Sequence, residues 1–144
     1  MASMTSAGSS IAIGLAPATN TLVGLQAVSY SPIGEVTNIG SFGKKFNTVT
    51  HNPLANRQTI KRKGSYDNGT INLEAAYDNA DPGQILLRTA SDSDDSYSIR
   101  VTMQDATTFY FTAQVFSFDI SVGGVDDITS IACDLEIDGT IFEA

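Results

Sequence analysis

One histidine and one cysteine in 144 residues leave little material for chemistry. A zinc site built from histidine and cysteine needs more ligands than these, and no disulfide can close within the chain. No Cys/His pair stands at a recognisable nucleophile spacing, and no Gly-x-Ser-x-Gly elbow is present. Basic residues are scarce as well: eight Lys and Arg stand against sixteen Asp and Glu, for a formal net charge of -8. None of the basic residues lies beyond Arg100, whereas eight acidic ones do. Tight nucleic-acid binding rests on neutralising phosphates and releasing counterions, so this chain is expected to repel DNA rather than hold it. No run approaches the roughly 18 apolar residues of a membrane-spanning helix. The segment SIAIGLAPA imitates a short signal-peptide core, but no Lys or Arg precedes Lys44, so it reads as an arm instead.

What the chain does have is strand pattern. SYSIRVTM puts Tyr97, Ile99, Val101 and Met103 on one side of a strand and Ser98, Arg100 and Thr102 on the other. ITSIACDLEIDGTI repeats the alternation, holding Asp134, Glu136 and Asp138 in a row opposite Ile131, Cys133, Leu135 and Ile137. Cys133 thus falls on the apolar side, where a thiol behaves as a small buried hydrophobe. KKFNTVTH and TINLEAAY give further strands, the second introduced by the turn residues Asp67-Asn68-Gly69. In TFYFTAQVFSFDISVG the apolar parity changes between Val115 and Phe116, which predicts a β-bulge or sheet corner there. A helix is predicted from Asp81-Pro82-Gly83-Gln84, with Asp81 as cap, Pro82 at the first position, and Ile85, Leu86, Thr89 and Ala90 inward.

The pattern dissolves over Asn52 to Ser65, which reads as a loop. The fold class expected is mainly β, an antiparallel β-sandwich or barrel of about seven strands with one flanking α-helix. Residues 1–20 are expected to form a flexible arm and 21–144 a single domain.

Other candidate sites are weak. His51 ends a strand and stands alone. Asp92, Asp94 and Asp95 lack the glycine and distal glutamate of a calcium loop, and SFGKK lacks the first glycine and the hydroxyl residue of a phosphate loop. Asn68-Gly69-Thr70 matches a glycosylation sequon but reads as a turn. No enzyme activity and no cofactor or metal are expected. Charge distribution is more informative. Lys44, Lys45, Arg57, Lys61, Arg62 and Lys63 put six positive charges between residues 44 and 63 with no acid among them. Arg57, Lys61, Arg62 and Lys63 are therefore candidates for contact between subunits, and Asp126, Asp127, Asp134, Glu136 and Asp138 for an acidic surface, or for the lining of the channel that the resemblance given below implies.

In order and spacing, SPIGEVTNIGSFG, FNTVTHNPLANRQTIKRKGSYDNGTINLEAAYDNADPGQILL and SYSIRVTMQDATTFYFTAQVFSFDISVGGVDDITSIACDLEIDG resemble the major tail tube protein of long-tailed bacteriophages. The resemblance runs roughly from Val28 to Gly139. It implies a structural virion protein, made in the bacterial host cytoplasm, that stacks as hexameric rings into a tube through which DNA passes without being bound. It further implies, as partners, other copies of the chain, the tape measure protein, the tail terminator and distal tail proteins, and no membrane. The additional immunoglobulin-like domain of some family members is not expected. Two alternatives stand beside it: a tube subunit of a contractile or secretion-type delivery particle, and a monomeric β-sandwich binding module.

Overall fold

Ten strands and two helices make up the fold, in a computed structural model that describes residue 5 and residues 7–144. In chain order they are β1 (Ser10–Gly14), α1 (Leu22–Gln26), β2 (Tyr30–Pro32), β3 (Val36–Asn38), β4 (Lys45–His51), β5 (Ile60–Asp67) and β6 (Thr70–Ala76). α2 (Pro82–Ser91), β7 (Tyr97–Thr102), β8 (Thr108–Ser121), β9 (Ser130–Ile137) and β10 (Phe142–Glu143) follow. One antiparallel sheet runs β2-β1-β7-β8-β9-β6-β3, with β10 paired to β8, and β4 and β5 form a separate two-stranded sheet. The class expected from the sequence, mainly antiparallel β with a flanking helix, is the class found, laid out as one continuous hydrogen-bonded sheet. The short α1, capped by Thr21 through its side chain on Gly24 N at 3.1 Å, was not anticipated.

Period-two alternation puts one face of each central strand inward. Ile71, Leu73 and Ala75 of β6, Ile99 and Val101 of β7, and Ile131, Cys133 and Leu135 of β9 are all at most 3% exposed. Full burial of a branched or aromatic side chain is worth about 1.5–3 kcal/mol, so this face carries most of the stability. Cys133 shares it. Burial pushes its thiol up to about 12, with the Asp134 and Asp119 carboxylates adding to the effect. Since the thiolate is the reactive form, the folded protein should resist a thiol reagent at pH 8 and yield one reactive thiol per chain in denaturant; rapid labelling of the folded protein would contradict this position for Cys133.

β8 carries the predicted bulge. Its register against β9 shifts between Val115 and Ser117, leaving Phe116 as the extra residue. Val115 lies opposite Leu135 before the shift, and Phe118 and Ile120 lie opposite Cys133 and Ile131 after it. The bulge thus returns both apolar runs to one face.

Three local expectations change. The segment read as an arm contains β1, whose Ile11 and Ile13 are fully buried and lie opposite Val101 and Ile99 of β7; two branched side chains in SIAIG suffice to fix a strand there. Residues 1–4 and 6 of that arm lie outside the described residues. Asn52 to Ser65 is only partly loop, because β5 begins at Ile60 and pairs with β4 from His51↔Ile60 to Lys45↔Asp67. Both faces of this hairpin meet solvent, so no apolar period marks it. In α2 the inward residues are Gly83, Gln84, Leu87 and Ala90, while Ile85 is 51% exposed.

The helix face turns because Gln84 is a polar clasp. Its Nε2 donates to Ala76 O at 2.8 Å and to Gly34 O at 3.1 Å, and its Oε1 accepts from Asp78 N at 2.9 Å. Asp81 caps the helix as predicted, accepting from Gln84 N at 3.1 Å and also from Gly34 N at 3.0 Å. Gly83 is required by proximity: a Cβ there would stand 2.4 Å from Pro32 O. The helix start is thereby tied to the β2–β3 connection.

Candidate assembly surfaces

The β4–β5 hairpin is almost wholly exposed. Every residue of β4 is exposed, and so are Lys61, Arg62 and Lys63 of β5 and Arg57 of the connecting loop. Its strands bond only to each other. Phe46 and Tyr66 face one another with ring centroids 5.2 Å apart, and the ammonium groups of Lys63 and Lys44 sit 4.8 Å and 4.9 Å from the Phe46 and Tyr66 ring centres. Asn47 Nδ2 donates to Ser65 Oγ at 3.0 Å. An isolated two-stranded ribbon is at best marginal in water. Cationic and aromatic groups on such a ribbon form a surface that gains by being covered.

The acidic candidates separate into three situations. Asp134 and Glu136 stand on the outward face of β9, with Asn72 and Ser117 opposite Asp134 and with Thr70 and Gln114 opposite Glu136. Glu74 and Asp119 extend the same face, both opposite Ala132. Asp138 is occupied internally: it accepts from Thr112 Oγ1 at 2.6 Å and from Ser96 Oγ, pinning the end of β9 to β8 and to the loop after α2. Asp127 is likewise structural, accepting from Gly124 N at 2.8 Å while its own N–H donates to Gly124 O. Gly123, at φ 71°, makes that turn, and a Cβ on it would meet the Asp127 Cβ at 2.7 Å. Asp126, beside it, is exposed.

Sequence reasoning missed the apolar end of the sheet. Phe116, Ile120, Val122, Val125 and Ile128 are between 49% and 100% exposed around the β8–β9 turn. The only signal was the parity change at Val115–Phe116, which announced the bulge but not what stays uncovered beyond it.

His51 is exposed at the end of β4. Among the described residues no group of three His, Cys, Asp or Glu side chains is placed to hold a metal, and no helix is long and apolar enough to cross a membrane. A cleft between β3 and β7 is lined by Val36, Ile39, Phe42, Val101 and Met103, with no titratable side chain.

The profile of a family described as phage tail tube protein (TTP) matches residues 13–140. No curated protein sequence matches. Among solved structures, a chain of the anti-feeding prophage baseplate aligns with a TM-score of 0.75 at 10% identity, covering 100% of this chain and 97% of that one. A chain of the sheath/tube terminator of an extracellular contractile injection system, PVC, gives 0.68 at 12%, with 100% and 98% covered. The SPP1 tail tube gives 0.63 at 13%, with 94% of this chain and 75% of that chain covered. At such identities the likeness is one of fold.

Proposed function

The chain belongs to the phage tail tube protein family, and from that premise we propose that this tail tube subunit polymerises as stacked hexameric rings enclosing a channel for DNA. The observation that carries the proposal is the β4–β5 hairpin, a basic and aromatic ribbon that pairs with no other strand among the described residues. On a molecule of net charge -8, self-association works against mutual repulsion unless opposite charges meet at the contact. Arg57, Lys61, Arg62 and Lys63 supply one half of such a contact.

The outward face of β9 suits the channel. Asp134 and Glu136, with Glu74 and Asp119 beside them, gather carboxylates on one stretch of the outward sheet face, which would repel a polyanion and so let it slide. Asp138 contributes charge near that face while its oxygens stay engaged with Thr112 and Ser96. The role is structural, with no reaction assigned. The subunit is made in the host cytoplasm and works in the virion, meeting tape measure, terminator and distal tail proteins at the inside and ends of the tube.

Electron microscopy of the purified protein tests this. Hollow tubes with six-fold rings are expected. A chain that stays monomeric at high concentration and with a tail initiation complex would instead support a monomeric binding module, and tubes that carry protein rather than DNA would support a secretion-type particle.

A further inference from the structure

We infer that the β8–β9 turn, with the apolar sheet end beneath it, is the surface on which the β4–β5 hairpin of a second copy docks. The inference rests on the polymerising reading above and names the receptor within it. The hairpin needs a partner that is both acidic and apolar, since Phe46, Val49 and Tyr66 are exposed among its cations. Burial of such side chains outweighs exposed ion pairs in strength, so apolar matching decides between acidic surfaces of similar charge.

Three acidic surfaces compete. The face of β9 surrounds Asp134 and Glu136 with Asn72, Ser117, Thr70 and Gln114, leaving nothing for an aromatic ring to cover. The loop after α2, with Asp92, Asp94 and Asp95, has serines around it and a single exposed apolar neighbour, Phe116. Of these three, the β8–β9 turn is the one whose exposed carboxylate, Asp126, stands in a stretch of chain with several exposed apolar residues, Ile120, Val122, Val125 and Ile128. The turn is also preformed, because Asp127 and Gly123 hold its shape, so little ordering is lost on docking. Hairpin and turn are different surfaces of one chain. Made in one direction, their contact is heterologous and propagates from copy to copy, as growth of a tube requires.

Cysteine pairing tests the contact directly, since the one native thiol, Cys133, is buried. Chains carrying Val125→Cys together with Val49→Cys, Leu54→Cys or Arg62→Cys would be assembled, oxidised and run on a denaturing gel without reductant. At least one pairing should give a ladder of covalently linked chains, with Val125→Cys alone giving none. Normal tubes from all three pairings without a ladder would overturn the inference and leave polymerisation standing; absence of tubes from the unaltered chain would remove both. Charge reversal covers the case in which the cysteines themselves block growth. Asp126→Lys should abolish tube formation by a folded monomer, and adding Arg62→Glu should restore it. Tubes from Asp126→Lys as abundant as those of the unaltered chain would also overturn the inference.

Discussion

Replacing Lys61, Arg62 and Lys63 together by glutamate should leave a folded monomer that no longer forms tubes. All three side chains are exposed on a strand that bonds only to β4, so the core does not register their loss. The assembly does. Each replacement removes a cation and adds an anion, on a chain whose formal net charge is already -8. A single exposed pair contributes only about 0–1 kcal/mol, but the same contact repeats around each ring and along the tube. Triple replacement by alanine should give a milder, salt-dependent defect, because screening over about 8 Å at physiological ionic strength acts both on the remaining attraction and on the mutual repulsion. Circular dichroism melts of the monomer beside counts of tubes by electron microscopy decide the matter. Normal tubes from the glutamate variant would remove the hairpin from assembly, and tubes that form but do not conduct DNA would move it to the channel.

Phe111→Ala carries the largest expected cost to the fold itself. Phe111 is fully buried at mid-β8 opposite Ile99, and the Phe42 ring packs 5.6 Å from it, itself 5.3 Å from Phe109. Truncating a buried phenylalanine costs about 3–5 kcal/mol, a large share of the roughly 5–15 kcal/mol that holds a typical domain. Urea unfolding should show a lower midpoint at unchanged slope. Phe116→Ala, five positions along the same strand, should barely move the midpoint of the monomer, since Phe116 is 65% exposed. Equal losses at the two positions would contradict the position of the bulge.

That pair of phenylalanines also marks how far the sequence could be read. Alternation in β6 and β9 identified the buried face because each of those strands has one dry side and one wet side, whereas in β7 the other side is covered as well, with Ser98 fully buried. The parity change at Val115–Phe116 located the bulge for the same reason. Where a segment has no dry side the signal disappears: β5 looked like a loop because Lys61, Arg62 and Lys63 face solvent on a hairpin that packs on nothing. Gln84 was read as completing a capping-box spacing with Asp81, and its inward position was missed for the opposite reason. A glutamine on a helix reads as solvent-facing, and only the free carbonyls of Gly34 and Ala76, distant in sequence, draw it inward. Among the acids, the sequence listed Asp126, Asp127 and Asp138 alike, yet two of them are spent on turns and strand ends inside the chain.

Strand order also governs when each part comes into being. β1 finds its partner β7 only after residues 15–96 have been made, and β6 waits for β9. Topologies dominated by such distant pairings fold in milliseconds to seconds, whereas a local hairpin closes in about 1–10 μs. β4 and β5 are neighbours in sequence and make no demand on the rest. The cationic ribbon is therefore ready early, while the turn between β8 and β9 takes shape only once β9 has emerged and paired. On the docking inferred above, a nascent chain presents its hairpin before its receiving turn exists.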